Sequence, residues 1–444
     1  MIMSYISITD DDIREMLGVS GVSSIDELFA DIPENIRSNA RCDLPGPLSE
    51  IDLDRHMRSV QSGNWLIPSF LGGGVYHHYI PPVVDHLSSR SEFYTAYTPY
   101  QPEVSQGTLR AIFEFQTIMC RLTGMDIANA SMYDGATSMA EAIFMSVRDN
   151  GKRKAVISKT VHPNYREVAR TYAWAGGIEL VEADYSGGVT DIASLEGALQ
   201  ADVSCVVVQS PNFFGCIEDL KAVKDTIASK KINLIVVVNE PLSLALLKSP
   251  GSFGADIVCG EAQSFGNPVA FGGPLLGFLA AREPFMRKMP GRLVGKSADL
   301  DGKEAYVLTL QTREQHIRRE RATSNICSNE GLCLLRAVLY LVYYGNKLRE
   351  LAQLNHARAR LLRNRLLEKG FSCAFNRPFF NEFVVTVPQA EAAYEAMKNN
   401  GFNSGLKLGR FYPEMEGALL FAVTEMNTVE EIDSFFNILE SISY

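Results

Sequence analysis

The chain lacks a surplus of basic residues: 42 Lys and Arg stand against 52 Asp and Glu, a formal net charge of -10 and a pI near 5.4. Nucleic acids and anionic membranes both reward a basic face, so neither is expected as the main partner. No apolar run approaches the roughly 18 residues of a membrane span. The opening MIMSYISITDDDIREML has no basic n-region and turns acidic at once, so neither a secretory signal nor a transit peptide is expected. The eight cysteines (Cys42, Cys120, Cys205, Cys216, Cys259, Cys327, Cys333, Cys373) are scattered through apolar segments with no CxxC. This predicts buried thiols in a reducing cytoplasm. There is no internal repeat and no low-complexity segment. What remains, 444 residues with 46% hydrophobic and 21% charged, is an ordinary globular chain of two or three domains with ample length for a large core.

The most informative stretch is Phe70 to Glu141. Gly72-Gly73-Gly74 followed by Tyr76, His77, His78 and Tyr79 joins a permissive backbone to rings with an apolar face and a polar tip, as in a pocket wall. Tyr94, Tyr97, Tyr100 and Gln101 surround Pro99 and Pro102, which exclude a long helix or a central strand and predict an ordered aromatic loop. Tyr133-Asp134-Gly135-Ala136-Thr137-Ser138 runs into an apolar-periodic helix, and the N–H groups of such a helix start suit a phosphate.

Residues 1–60 read as a helical arm, with Ser24 and Glu27 in a capping-box pattern. Residues 61–329 read as a large α/β domain. From Lys154 to Ala280, short continuous apolar runs alternate with helical patterns, the signature of a mostly parallel sheet covered on both faces. Asp301-Gly302 marks a hairpin turn, Arg313 to Arg321 a charged helical run, and Glu330 to Gly345 and Leu348 to Lys369 long helices. Residues 330–444 read as a smaller α+β domain.

These motifs resemble those of the glycine decarboxylase P-protein of the glycine cleavage system. The likeness runs from Ser24-Ile25-Asp26-Glu27-Leu28-Phe29 to about residue 440, and the layout is similar to the alpha subunit of the two-subunit bacterial form. The resemblance implies the aspartate-aminotransferase-like fold (fold type I) of pyridoxal-phosphate (PLP) enzymes. It implies an oxidoreductase that decarboxylates glycine and passes the aminomethyl group to the lipoyl arm of the H-protein. PLP chemistry needs a lysine amine for the Schiff base, an acid for the ring nitrogen and donors for the phosphate. In the matching stretch Gly260-Glu261-Ala262-Gln263-Ser264-Phe265-Gly266-Asn267-Pro268 there is no lysine, and by register Gln263 takes its position. An amide nitrogen, its lone pair delocalised into the carbonyl, cannot condense with an aldehyde. The strand before it ends in Asn239-Glu240-Pro241 where such folds place an aspartate, which leaves Glu240 as a more distant acid or a plain strand-end carboxylate.

The resemblance therefore implies a homologous beta subunit that holds PLP covalently, in an α2β2 assembly. This chain would complete the partner's site and help shape a tunnel for the lipoyl arm. His77 and His78 fit either ligand stacking or structural roles, with metal binding disfavoured for want of further ligands at metal spacing. Tyr94, Tyr97, Tyr100 and Gln101 fit an interface, a cofactor contact or both. Asp134, Gly135, Ala136 and Thr137 are the phosphate candidates. The run Arg318 to Asn325 offers Thr323 and Ser324 as a turn reaching a partner's phosphate, or a solvated helix face. Two rival readings stay open: a non-catalytic module binding a phosphate-bearing ligand, and a stand-alone PLP enzyme using another lysine such as Lys159.

Overall fold

Runs such as Lys154–Ser158 and Val203–Gln209 are buried along their whole length, which a strand tolerates only inside a sheet covered on both faces. The computed structural model describes residues 7–40, 43–324, 326, 328–387 and 389–442. Its main sheet has seven strands: β1 (Ile127–Ala128), β2 (Lys154–Ser158), β3 (Glu179–Ala183), β4 (Val203–Gln209), β5 (Asn233–Val238), β6 (Ile257–Glu261) and β7 (Gly277–Ala281). Their order is β1-β7-β6-β5-β4-β2-β3. The five strands from β3 to β6 pair in parallel, while β7 and β1 are antiparallel to their neighbours. Helices Gln106–Thr123, Gly135–Asn150 and Pro163–Gly176 stop at Gly124, Gly151 and Gly177, each in the left-handed conformation that relieves the last turn.

A second sheet of four antiparallel strands runs in the order Ser372–Cys373, Glu382–Thr386, Ala418–Ala422, Leu406–Lys407. Its helices include Ala390–Asn399 and Val429–Ile442, the latter capped reciprocally by Thr428 and Glu431. Phe70 is buried in this sheet's core, stacked on Phe435 with ring centroids 3.9 Å apart. The expected hairpin joins Leu293–Ala298 to Glu304–Thr309, and the long helices form as Gly331–Tyr344 and Leu348–Glu368.

The expected charged helix from Arg313 to Arg321 is a correction: the stretch is broken into one α-helical turn, Gln315–Arg318, and a 3-10 turn, Arg319–Arg321. Leu310 and Arg319 take positive φ, and the Arg313 side chain turns inward to donate to the carbonyls of Leu310, Met289 and Gly291, so it cannot lie on a solvated helix face. Of the candidate run Arg318 to Asn325, Asn325 lies outside the described residues. Contacts divide the chain into two compact units at Leu66/Ile67. In the first, Asp10–Ser20 begins with a capping box from Thr9, Ser24 caps the turn Ile25–Phe29, and Ser49 caps Glu50–Gln61. None of its described residues is buried. Among the described residues no helix is long and apolar enough to cross a membrane.

Candidate functional site

The carboxyl ends of parallel strands are where this architecture places its ligands. Here β5 delivers Asn239 and Glu240, β6 ends in Glu261 just before Gln263, and His162 follows β2. All five are buried. Across these ends runs an extended strap, residues 68–79, and the three glycines inside it are sterically required. A Cβ on Gly72 would lie 2.1 Å from the Glu382 carboxylate, and one on Gly74, whose φ is +107°, would lie 3.2 Å from the His162 ring and 3.3 Å from the Asn239 amide. The strap therefore packs directly onto the residues that would otherwise line the cleft.

The strap is bonded on both sides. The Gly73 carbonyl is 2.6 Å from His162 Nε2, and the Gly73 N–H donates to Glu382 Oε1 at 2.7 Å. Tyr76 donates its hydroxyl to Glu382 Oε2 at 2.8 Å. Burial pushes the Glu382 carboxyl up to about 7, against the opposing pull of those two donors. His78 sits between Glu240 Oε2, 3.0 Å from its Nε2, and Glu425 Oε2, 2.9 Å from its Nδ1. Both ring nitrogens donate only in the imidazolium form. Burial alone would lower its pKa, but the Glu425 and Glu240 carboxylates outweigh burial and hold it up to about 10. His77, on the opposite side of the extended strap, is exposed, and its carbonyl accepts from the Thr424 hydroxyl.

At the position where the lysine is expected, Gln263 is 1% exposed and all of its amide is engaged. Its Nε2 donates to the carbonyls of Tyr76 (3.1 Å) and Asn267 (2.6 Å), and its Oε1 accepts the Tyr76 N–H at 3.1 Å. It thus pairs with the strap much as a neighbouring strand would. At the acid position, neither side-chain atom of buried Asn239 has a protein partner among the described residues. Glu240 is taken by His78, by the Ser264 hydroxyl at 3.1 Å and by the Leu242 N–H at 2.9 Å.

The helix start is also satisfied from within. Asp134 caps it, accepting from the N–H of Thr137 at 2.7 Å and from the Thr137 hydroxyl. The Gly135 N–H donates to Glu261 Oε2 at 3.0 Å, while Glu261 Oε1 accepts from the N–H groups of Leu276 (2.8 Å), Gln263 (3.0 Å) and Ala262 (3.2 Å). Ala136, the next residue of that turn, is half-buried.

A second group of candidates stands apart from the cleft. Tyr97 is 84% exposed and Tyr94 65%, and Tyr100 accepts a hydrogen bond from Arg292 Nη2 at 2.9 Å with the guanidinium over its ring. Gln101 is exposed and its carbonyl accepts from Val104 N–H. Buried Glu314 lies 3.5 Å from Arg292 and from His316, whose ring meets Tyr100 edge-on. Phe93, Tyr94, Tyr97, Ile112, Asn329 and Leu335 line a cavity of about 180 Å³ beside this loop. Thr323 donates its N–H to the Arg313 carbonyl and Ser324 accepts from Ile326 N–H, both half-buried in an irregular turn. Lys159 pairs with exposed Asp184. Among the described residues no group of three or more His, Cys, Asp or Glu could hold a metal ion.

The residues that reach the cleft do not fit a covalently held aldehyde cofactor in this chain. Where an amine is expected stands a fully bonded amide, where a ring acid is expected an unpartnered asparagine, the Gly135 and Thr137 N–H groups are occupied by Glu261 and Asp134, and the strap fills the space above His162. The positions missed by sequence reasoning are Glu261, Glu382, Glu425, His162 and Arg292. A glutamate ending a wholly buried strand was the available signal for Glu261.

Strand order and the cleft beyond the strand ends define the class: a PLP-dependent enzyme scaffold of fold type I, mostly parallel sheet plus helices. Aspartate aminotransferase from Thermus thermophilus (13% identical, TM-score 0.61, covering 85% of this chain and 100% of that one) shares the fold. A family model described as "Glycine cleavage system P-protein" matches residues 3–439. The chain is 51% identical to a probable glycine dehydrogenase (decarboxylating) subunit 1 of Geobacillus kaustophilus (strain HTA426), over 98% of both chains. It is 49% identical to the protein so named in Moorella thermoacetica (strain ATCC 39073 / JCM 9320), over 99% of this chain and 100% of that one. A crystal structure of glycine decarboxylase (P-protein) of the glycine cleavage system, in inhibitor-bound form, superposes with a TM-score of 0.88 at 42% identity, covering 99% of this chain and 100% of that one. The chain belongs to the glycine cleavage system P-protein family.

Proposed function

We propose that this chain is the lysine-less alpha subunit of a two-subunit P-protein. With a homologous beta subunit, in an α2β2 assembly, it serves PLP-dependent decarboxylation of glycine and transfer of the aminomethyl group to the lipoyl arm of the H-protein in the cytoplasm. The observation that carries the reading is Gln263, buried at the lysine position with its amide spent on the strap. PLP, when bound by the partner, supplies the electron sink for decarboxylation. This chain's contribution is its exposed aromatic edge: Tyr94, Tyr97, Tyr100 and Gln101, backed by Arg292, with Thr323 and Ser324 as further contacts to the partner's site. An arm with no buried residue among those described suits a role in assembly.

The rival readings each meet an obstacle. A phosphate-binding module needs the donors that Glu261 and Asp134 occupy, and a stand-alone enzyme using Lys159 needs an amine already paired at the surface. The test is reconstitution: glycine-dependent reduction of lipoylated H-protein by this chain alone, by a lysine-bearing homologous chain alone, and by the two mixed. Activity only in the mixture is expected. Turnover by this chain alone, or full turnover by the partner alone, would defeat the proposal.

A further inference from the structure

The Glu261 carboxylate is 2% exposed and collects four backbone N–H donors: Ala262 and Gln263 in the turn that follows it, Leu276 before β7 and, from far off in the chain, Gly135 at the helix start. Burial pushes this carboxyl up to about 7, and the donors from Leu276, Gly135 and Gln263 oppose that by favouring its charged form. N–H groups from a helix start and a turn that converge on one carboxylate make an anion cup. Gly135 is part of its construction, because a Cβ there would lie 2.0 Å from the Tyr165 hydroxyl and 3.0 Å from the Glu261 N–H nitrogen. In the same turn the Thr137 N–H and hydroxyl are held by the Asp134 side chain.

We propose that Glu261 is a resident anion: its carboxylate occupies, within this chain, the cup that would receive a ligand's phosphate, and so bars phosphate-bearing ligands from the cleft. The proposal rests on reading the chain as the subunit that holds no cofactor, and it names the group that enforces this. A carboxylate tethered by a rigid strand competes at an effective concentration of at least roughly millimolar without the entropic cost of capturing a free anion. The same donors would be left unpaired if Glu261 were truncated, and they would then be open to an anion from solution.

The test uses the full-length chain and inorganic phosphate, titrated against chloride at constant ionic strength, with thermal midpoint and peptide-level hydrogen exchange as readouts. The wild type is expected to show no phosphate-specific stabilisation and no change in exchange around Gly135 and Leu276. Glu261→Ala is expected to gain a saturable upward midpoint shift together with slowed exchange in both segments. Glu261→Ser serves in the same way if the alanine variant does not fold, since it keeps a small acceptor on the strand. Phosphate protection of Gly135 and Leu276 in the wild type would overturn the proposal, and so would a folded variant that takes up no phosphate. A midpoint shift with no protection in either segment, in any form of the chain, places the anion elsewhere and counts equally against it. Because no second subunit is present, failed reconstitution of activity would leave this result standing, and the reverse also holds.

Discussion

The buried cleft and the aromatic edge of the same fold have opposite characters. In the cleft, His78, Glu240, Glu425, Gln263, Glu261 and Glu382 are bonded to one another or to the strap. At the edge, Tyr94 and Tyr97 are largely exposed beside an open cavity of about 180 Å³. A cofactor cleft normally keeps donors and acceptors unsatisfied until its ligand arrives. Here the cleft is largely satisfied, Asn239 being its exception, and the exposed apolar surface lies at the edge. The comparison teaches that the interior of this chain does not offer the groups the chemistry needs, while its large uncovered aromatic side chains lie elsewhere, at the edge.

The largest expected effect comes from breaking the cleft at its charge centre. His78→Ala leaves Glu240 and Glu425 buried without their cation, and removal of one partner from a buried ion pair costs about 3–5 kcal/mol. Denaturant unfolding at neutral pH measures this. The pH dependence sharpens the assignment. The folded-state pKa of about 10 exceeds the unfolded 6.5, so the stabilising contribution of His78 is complete below 6.5 and is lost as pH rises through about 10. Wild-type thermal midpoints should fall across that alkaline window, and the alanine variant should lose this component of the fall. An unchanged alkaline slope in the variant would remove His78 from the argument.

Next is Gln263→Lys, which restores the residue type a Schiff base needs. The ammonium would enter a site built around the carbonyls of Tyr76 and Asn267, with no acceptor role left for the Tyr76 N–H. Desolvation and the lost amide pairing together should cost about 2–4 kcal/mol. Added PLP should produce no stoichiometric borohydride-stable adduct at position 263, since the strap and Glu261 still fill the cleft. A stable variant carrying such an adduct would show the cleft to be open.

Glu382 gives a smaller effect in a different pH window. Its carboxyl, pushed up to about 7 in the folded chain, titrates near 4.5 when unfolded. The folded state therefore binds the extra proton between those values, and the associated stability, full below 4.5, is lost as pH rises through about 7. Glu382→Gln keeps a neutral acceptor for the Gly73 N–H and should flatten this acidic slope. The difference between wild type and variant in urea unfolding should change by about 1–3 kcal/mol from pH 5 to pH 8. A constant difference would mean that Glu382 does not titrate in that range.

Much of this was legible in the sequence, for reasons tied to range. The strands of the main sheet announce themselves because a strand buried on both faces must be apolar throughout, as in Val203–Gln209. The missing amine is legible at Gln263 because the chemistry of an aldehyde admits no amide. The closing of the cleft is not legible, because its partners are distant in the chain: His78 meets Glu240 and Glu425, 162 and 347 residues away. Likewise the helix start at Asp134 reads as a turn with donors to suit a phosphate, but nothing local says that its Gly135 N–H is taken by Glu261, 126 residues away. Arg313 misleads for the opposite reason: a basic residue in a charged run is expected outside, whereas three carbonyls draw it in.

The smallest effect on the chain's own stability, and the sharpest separation of the two regions, is expected from Tyr97→Ala. Tyr97 is 84% exposed, and truncation of an exposed side chain away from the core changes stability by no more than about 0.5 kcal/mol. If the edge is the surface that meets a second subunit, the same substitution removes a rigid aromatic anchor from an interface, where truncating a tyrosine commonly costs 2 kcal/mol or more. That corresponds to roughly thirtyfold weaker association with a lysine-bearing homologous chain, read by sedimentation or by titration of reconstituted activity. Tyr100→Phe makes a useful companion, because it keeps the ring under Arg292 and deletes only the hydroxyl that the guanidinium bonds. Loss of stability with unchanged association in Tyr97→Ala would place Tyr97 among residues that hold the fold together, and the edge would then lose its distinction from the cleft. Unchanged stability with weakened association would locate the working surface of this subunit at the aromatic edge.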